Sequence, residues 1–264
     1  MIASPVQRVQ APPLRVGLFV TCLIDLFRPS AGFAAVQLLE EAGCEVIVPA
    51  AQTCCGQPAY NSGDRDTAKA IAKQVIQAFE GFSHIVVPSG SCGGMLAKHY
   101  PSLFDGEGDA VWRAKAISFS AKVSELTSFL ADVLNVDFTG RAFPKRVTYH
   151  DSCSSIREMN VAAQPRALLQ SLDGLTLIEM EDREVCCGFG GTFSVKYPDI
   201  SNAMVSQKAD RVTETKADIL TGADLGCLIN IAGKLSREGK KVEVRHIAEI
   251  LAGRLDDPGI TSPS

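Results

Sequence analysis

The stretch "QTCCGQPAYNSGD" (52–64) sets two adjacent cysteines in front of a glycine, and "REVCCGFGGTFSV" (183–195) repeats the arrangement. Neighbouring cysteines seldom form a useful disulfide, and two thiolates side by side repel each other. A chain that carries such a pair twice has a use for closely spaced thiolates. Working outward, Cys22 lies 31 residues before the first pair and Cys92 lies 36 residues after it. Cys153 lies 32 residues before the second pair and Cys227 lies 39 residues after it. The two series superpose with offsets of 131, 132, 132 and 135, which marks a duplicated unit. The ninth cysteine, Cys44 in "EEAGCEVIVPA", has no counterpart and reads as a small buried hydrophobe.

The segments around the cysteines alternate between apolar strands and amphipathic helices. "LRVGLFVTC" (14–22), "EVIVPA" (45–50) and "HIVVPSGSC" (84–92) read as strands. Helices are expected over 30–43, stopping at Gly43, over 64–81 from an Asp64 cap to Gly81, and in stretches across 110–134. In the second half "RVTYHDSC" (146–153), "LTLIEM" (175–180), "ADIL" (217–220) and "KVEVRH" (241–246) read as strands, with a helix over roughly 198–216. Strands alternating with helices argue for parallel βαβ units. The expected fold is α/β: two similar units, 14–140 and 141–253, related by a pseudo-twofold, with flexible tails at 1–13 and 254–264. All eight repeated cysteines fall just after a strand, where open parallel sheets bind ligands. The two cysteine edges are expected to face a shared cleft.

Composition narrows the function. With 264 residues, 46% hydrophobic and 21% charged, the chain is an ordinary globular protein. A net charge of −4 offers no basic footprint for nucleic acid or an anionic membrane. No apolar stretch approaches the ~20 residues that span a bilayer. The first residues lack a basic region followed by an apolar run, so no signal peptide is expected and the cytoplasm is the default location. In a reducing compartment, clustered cysteines point to metal binding or catalysis, and an odd count disfavours a fully paired disulfide framework. Four thiolates suit tetrahedral zinc or an iron–sulfur cluster. Two neighbouring residues on one small ion would close a strained ring, whereas a cluster spreads its irons, so the adjacent pairs favour a cluster.

The repeated C-x31-CCG-x36-C and C-x32-CCG-x39-C pattern resembles the CCG cysteine-rich domain family. That family includes the cysteine-rich subunit of heterodisulfide reductase and the iron–sulfur subunits of glycolate oxidase and anaerobic glycerol-3-phosphate dehydrogenase. "CCGQPAYNSGD", "PSGSCGGM", "YHDSC", "CCGFGGTFSVK" and "GCLINIAG" are most similar to its lactate-utilisation members, and the match runs from Val16 to about Leu251. The resemblance implies an iron–sulfur oxidoreductase subunit, inactive alone, of a cytoplasmic complex oxidising L-lactate to pyruvate. It implies a ferredoxin-like iron–sulfur protein and a third small subunit as partners, and a small 2-hydroxy acid as substrate. Cys22, Cys54, Cys55 and Cys92 would ligate one centre, and Cys153, Cys186, Cys187 and Cys227 the other. The fuller family motif ends in CxxC; here the last position is Met95 or Asn230, so the family's five-thiolate cluster is not carried over. A 4Fe–4S cluster in at least one half, with zinc as the alternative in the other, fits what remains. The second functional class is a metal-stabilised assembly module without catalysis.

Other candidates are few. The glycines of "CCGFGGTF" (186–193) and "SCGGM" (91–95) allow positive φ and let N–H groups face an anion. Gly188 to Gly191 lack the spacing of a dinucleotide fingerprint, and no P-loop or flavin signature is found. His150 and Asp151, just before Cys153, are candidates for a proton relay or for supporting that cysteine. Arg157 and Lys196 are candidates for a substrate carboxylate or for solvated surface. His246 reads as a structural residue at a helix start, and His84 and His99 carry no signal.

Overall fold

The computed structural model describes residues 13–260; most of the expected tail at 1–13, and residues 261–264 of the other, lie outside them. β1 (Leu14–Leu18) leads into α1 (Cys22–Phe27) and α2 (Pro29–Glu41). β2 (Cys44–Ile47) leads into α3 (Gln57–Asn61) and α4 (Arg65–Ala78). β3 (His84–Val87) is followed by α5 (Gly90–Gly94), a π-helical stretch (Met95–His99), α6 (Tyr100–Leu103) and α7 (Ala110–Ser120). β4 (Val123–Glu125) completes the sheet before α8 (Leu126–Ser128) and a second π-helical stretch (Phe129–Val133).

The second half repeats the order. β5 (Arg146–His150) precedes α9 (Cys153–Arg157) and α10 (Ala163–Gln170), and β6 (Thr176–Leu177) precedes α11 (Phe193–Lys196) and α12 (Pro198–Glu214). β7 (Ile219–Gly222) is followed by α13 (Leu225–Arg237), and β8 (Glu243–His246) by α14 (Ile247–Ala252). The two sheets have orders β2-β1-β3-β4 and β6-β5-β7-β8, with every pairing parallel. In each sheet the chain winds outward to the second strand and then crosses back to the third. The reversal opens a crevice at the carboxyl ends of the first and third strands.

Local sequence explains most of these elements. α4 starts where the Asp64 side chain accepts from Thr67 N, and Ala68, Ala72, Val75 and Ile76 form its buried stripe. α2 stops before Gly43, whose φ of +85° suits a residue without a Cβ. Two expectations are adjusted. The expected helical stretches across 110–134 form, but between them "VSE" (123–125) adds the edge strand β4, too short for any periodicity to show. The strand expected at 217–220 sits two residues later, over Ile219–Gly222; the turn after α12 ends at Lys216, and Asp218 leads into the strand with its N–H on Arg146 O and its carbonyl accepting from Glu243 N.

The two sheets share one core. Leu38 and Leu39 of α2 and Ile247, Ile250 and Leu251 of α14 are all at most 1% exposed and belong to a cluster that also holds Val16, Leu18, Val147 and Tyr149. Burying these five side chains is worth on the order of 10 kcal/mol, comparable with the whole net stability of a domain. The arrangement is reciprocal: α14, after the last strand of the second sheet, packs on α2, while α8, after the last strand of the first, packs on α10. Glu249 locks the first joint, accepting from Arg28 Nε at 2.8 Å, Ser30 Oγ at 2.7 Å and His246 N at 3.0 Å. Residues 254–260 run along the surface, held by Arg28 Nη1 to Pro258 O, Arg245 Nη2 to Asp257 O and Ile260 N to Val244 O.

The helices that open the cysteine loops also meet across the halves, α5 on α9 and α13 on α1. Small residues make the first contact close. A Cβ on Gly90 would lie 2.0 Å from Ser155 Oγ and 2.9 Å from Ser155 N. Gly90→Ala is therefore expected to cost about 1–3 kcal/mol in denaturant unfolding, as overpacking does. Gly233→Ala, in α13 where the added Cβ meets nothing nearer than Arg237 Nη1 at 3.4 Å, is expected to be neutral or stabilising by up to ~1 kcal/mol. Equal effects from the two would show that the α5–α9 contact is not tight.

Candidate functional site

Each half gathers its four repeated cysteines at the strand ends. Cys22 and Cys153 open the helices after β1 and β5, the adjacent pairs sit in the loops after β2 and β6, and Cys92 and Cys227 lie in the first turns of α5 and α13. Thiol contacts run Cys22–Cys54–Cys55–Cys92 in one half and Cys153–Cys186–Cys187–Cys227 in the other. All are free thiols. Cys44 is in neither series; it is buried on β2 in the shared core.

The repeated glycine has a defined task. Gly56 and Gly188 adopt φ of +83° and +81°, which turns the N–H of Gly56 onto Cys54 Sγ at 3.4 Å and that of Gly188 onto Cys186 Sγ at 3.3 Å. At Gly188 a Cβ would lie 2.7 Å from Ser201 O. Gly190 and Gly191 also take positive φ, as their sequence suggests. Gly93 and Gly94 do not; they are helical residues of α5 that leave room for Met159 and Glu158. The expectation of positive φ in "SCGGM" is thus corrected: those glycines serve close packing.

Charge is unequally shared within each quartet. Hydrogen bonds from Cys22 and Cys55, with that from Gly56 N, hold the Cys54 thiol far below its usual range, at about 3. Cys186 is lowered in the same way by Cys153, Cys187 and Gly188 N, while Cys22 and Cys153 are pushed up. In each quartet the thiol that receives the glycine N–H is the one most readily ionised, and metal ligation by cysteine uses the thiolate.

The halves close each other's sites. A cavity of about 240 Å³ beside Cys22, Cys54, Cys55 and Cys92 is capped by Phe189, Gly191 and Thr192 of the second half. A neighbouring cavity of about 320 Å³ beside Cys153, Cys186, Cys187 and Cys227 is capped by Gln57, Tyr60 and Asn61 of the first. Gln57, Ser91, Phe189, Gly191 and Asp224 line both, so the two cysteine edges face one cleft. A larger apolar groove of about 570 Å³ lies on the outer side of Cys22 and Cys54, between Phe33 and Val48.

Several predicted residues are already engaged. Both carboxylate oxygens of Asp151 accept from Arg166, at 2.7 and 2.9 Å. His246 caps α14, with Nδ1 accepting from Ala248 N and Nε2 facing the carbonyls of Pro88 and Ala223. Asn230, where the fuller motif has cysteine, donates to Cys187 O at 2.9 Å, and Met95 is buried. Arg157 and Lys196 are exposed, His99 lies 3.5 Å from Glu158, and the His84 ring packs 5.4 Å from that of Phe129. His150 is different: a ring nitrogen lies within 4.8 Å of the Cys187 and Cys227 sulfurs.

Sequence reasoning missed two buried acids, Asp224 between the quartets and Glu125 at the end of β4. Asp224 accepts from Ser91 N of the other half at 2.8 Å, and burial raises its pKa. Glu125 accepts from Thr127 and Ser128, and burial pushes it up to about 7. The available signal for Asp224 was a break in the internal repeat, since Ser89 occupies the matching position in the first half.

The cysteine-rich CCG domain signature matches residues 16–97 and again 147–232. The chain is 52% identical over 238 residues to lactate utilization protein A of Oceanobacillus iheyensis, covering 90% of this chain and 96% of that one. It is 50% identical over 241 residues to lactate utilization protein A of Geobacillus thermodenitrificans, covering 91% and 100%. Among solved structures, a hypothetical protein from Helicobacter pylori shares the fold with a TM-score of 0.61 at 10% identity, covering 94% of this chain and half of that one.

Two outcomes test the electrostatics. In metal-free protein at pH 6, iodoacetamide is expected to label Cys54 and Cys186 first, leaving Cys55 and Cys187 until denaturation; peptide mapping reads the order. Glu125 binds its proton more tightly folded than unfolded, so its contribution is intact below about pH 4.5 and is lost as pH rises through about 7. Glu125→Gln should flatten the fall in stability across that window, by a few kcal/mol at most, and an unchanged profile would show that another group titrates there.

Proposed function

The chain belongs to the cysteine-rich CCG domain family, and from that premise we propose that it is the redox subunit of a cytoplasmic system oxidising L-lactate, or a closely related 2-hydroxy acid, to the 2-oxo acid. The observation that carries this reading is the pair of thiol quartets facing one cleft, in a chain about half identical to lactate utilization protein A over nine-tenths of its length. Among the described residues, no helix is long and apolar enough to cross a membrane.

The donor sets suit iron–sulfur centres. Cys22, Cys54, Cys55 and Cys92 would hold one, and Cys153, Cys186, Cys187 and Cys227 the other, with neighbouring thiolates reaching different irons. When bound, such centres supply one-electron transfer, and two per chain match the two electrons released when a 2-hydroxy acid is oxidised. The rest falls to the protein. Gly56 and Gly188 donate N–H groups to one sulfur in each quartet, which stabilises the anionic form. The capping loops restrict water at the cysteines. Asp151 is fully engaged by Arg166, so it is not a free base for the substrate hydroxyl. Dependence on partners, a ferredoxin-like iron–sulfur protein and a third small subunit, rests on the likeness to lactate utilization protein A. A second reading, with zinc in the second half, is favoured by one observation: donor atoms of His150, Cys187 and Cys227, residue types that zinc sites use, lie within 4.8 Å of one another.

Iron, sulfide and zinc analysis of anaerobically purified protein tests the centres. Cys187→Ser is expected to remove roughly half of the bound metal and Cys44→Ser none; equal losses would reject the ligand sets. Deletion of the gene in a strain with no second lactate dehydrogenase is expected to abolish growth on L-lactate as sole carbon source. Normal growth there would sink the lactate reading and leave the metal centres standing.

A further inference from the structure

The internal repeat makes each half a control for the other. Aligned on Cys22 and Cys153, Phe19 falls on His150. Both are buried where the first strand of their sheet ends, Phe19 at 0% and His150 at 2% exposure. Phe19 belongs to the apolar cluster that contains Cys55 and Cys92. His150 meets the counterparts of those two cysteines, with a ring nitrogen and the sulfurs of Cys187 and Cys227 all within 4.8 Å of one another.

An imidazole in that place carries a cost that phenylalanine does not. Neither Nδ1 nor Nε2 of His150 finds a hydrogen-bond partner among the described residues. A buried polar atom left without a partner is costly, and native structures rarely keep one unless it serves a purpose. The rest of the surroundings offers no relief: Asp151 is held by Arg166, and the Lys208 ammonium donates to the carbonyls of Asp182 and Arg183. A neutral imidazole presents a lone pair at one ring nitrogen, the form in which histidine ligates metals.

We propose that His150 is a metal ligand of the second-half centre, joining Cys187 and Cys227 in a mixed nitrogen–sulfur donor set, while the first-half centre is ligated by thiolates alone. The inference rests on the reading of the quartets as metal centres. In that set the imidazole ligates where Cys153 or Cys186 of the quartet would otherwise do so, which leaves the second centre with less negative charge. In an iron–sulfur centre that substitution raises the reduction potential. The two centres are then inequivalent, and an electron arriving at the first runs downhill to the second.

The test uses the full chain purified anaerobically with histidine labelled by nitrogen-15. Pulsed electron paramagnetic resonance is recorded on the dithionite-reduced protein if iron is bound, or after cobalt(II) replacement if zinc is. The expected result is one strongly coupled histidine nitrogen in the parent protein. In His150→Phe it disappears, with loss of about half of the metal. Installing phenylalanine copies what the first half already tolerates; melting of the metal-free variant checks the fold, and His150→Gln replaces it if that fails. Bound metal with no strong nitrogen coupling overturns the assignment, as does a coupling that survives in the variant. A 10–100-fold weaker metal affinity without that coupling marks an outer hydrogen-bond partner and also overturns it. A parent chain that binds no metal overturns the metal-centre reading, and this inference with it.

Discussion

The burial of each sheet's last helix against the other half is the constraint on which the remaining structure depends. α14 packs on α2 and α8 on α10, and Glu249 draws Arg28, Ser30 and the start of α14 into one buried joint. Neither sheet has a complete hydrophobic layer without the other. The contact fixes the rotation between the halves, and the carboxyl ends of both sheets come to face the same cleft. α5 and α9, the helices that carry Cys92 and Cys153, are thereby pressed together, and only a residue without a Cβ fits at Gly90.

Within that frame the adjacent cysteines divide their work. The first of each pair, Cys54 or Cys186, is partly exposed and receives the glycine N–H. The second, Cys55 or Cys187, is buried, and its carbonyl is held by Tyr100 or Asn230. The glycine is required because the backbone must turn left-handed there to aim its N–H at sulfur. One short motif thus sets one thiol towards the cleft and anchors the other in the core.

Much of this was legible in the sequence because it is carried by spacing. The repeat of cysteine intervals exposed the duplication, and apolar runs such as "HIVV" located the central strands. The strand β4 was hidden because three residues at a sheet edge have no periodicity to read. "SCGGM" misled because glycine serves both for positive φ and for close approach, and only the neighbours across the halves, Met159 and Glu158, decide between them. Asp224 and Glu125 were invisible for a related reason: an acid is made unusual by what surrounds it, and a buried environment is assembled from segments far apart in the chain.

The mutual capping of the cysteine loops has an evolutionary consequence. A single ancestral unit would have left its thiols open to water, with no loop of its own to cover them. The smallest assembly able to cover both is a homodimer, in which each copy lends its loop to its twin. Joined in one chain, two such units need not change together at equivalent positions. Phe19 and His150 hold one such pair of equivalent positions, and they differ.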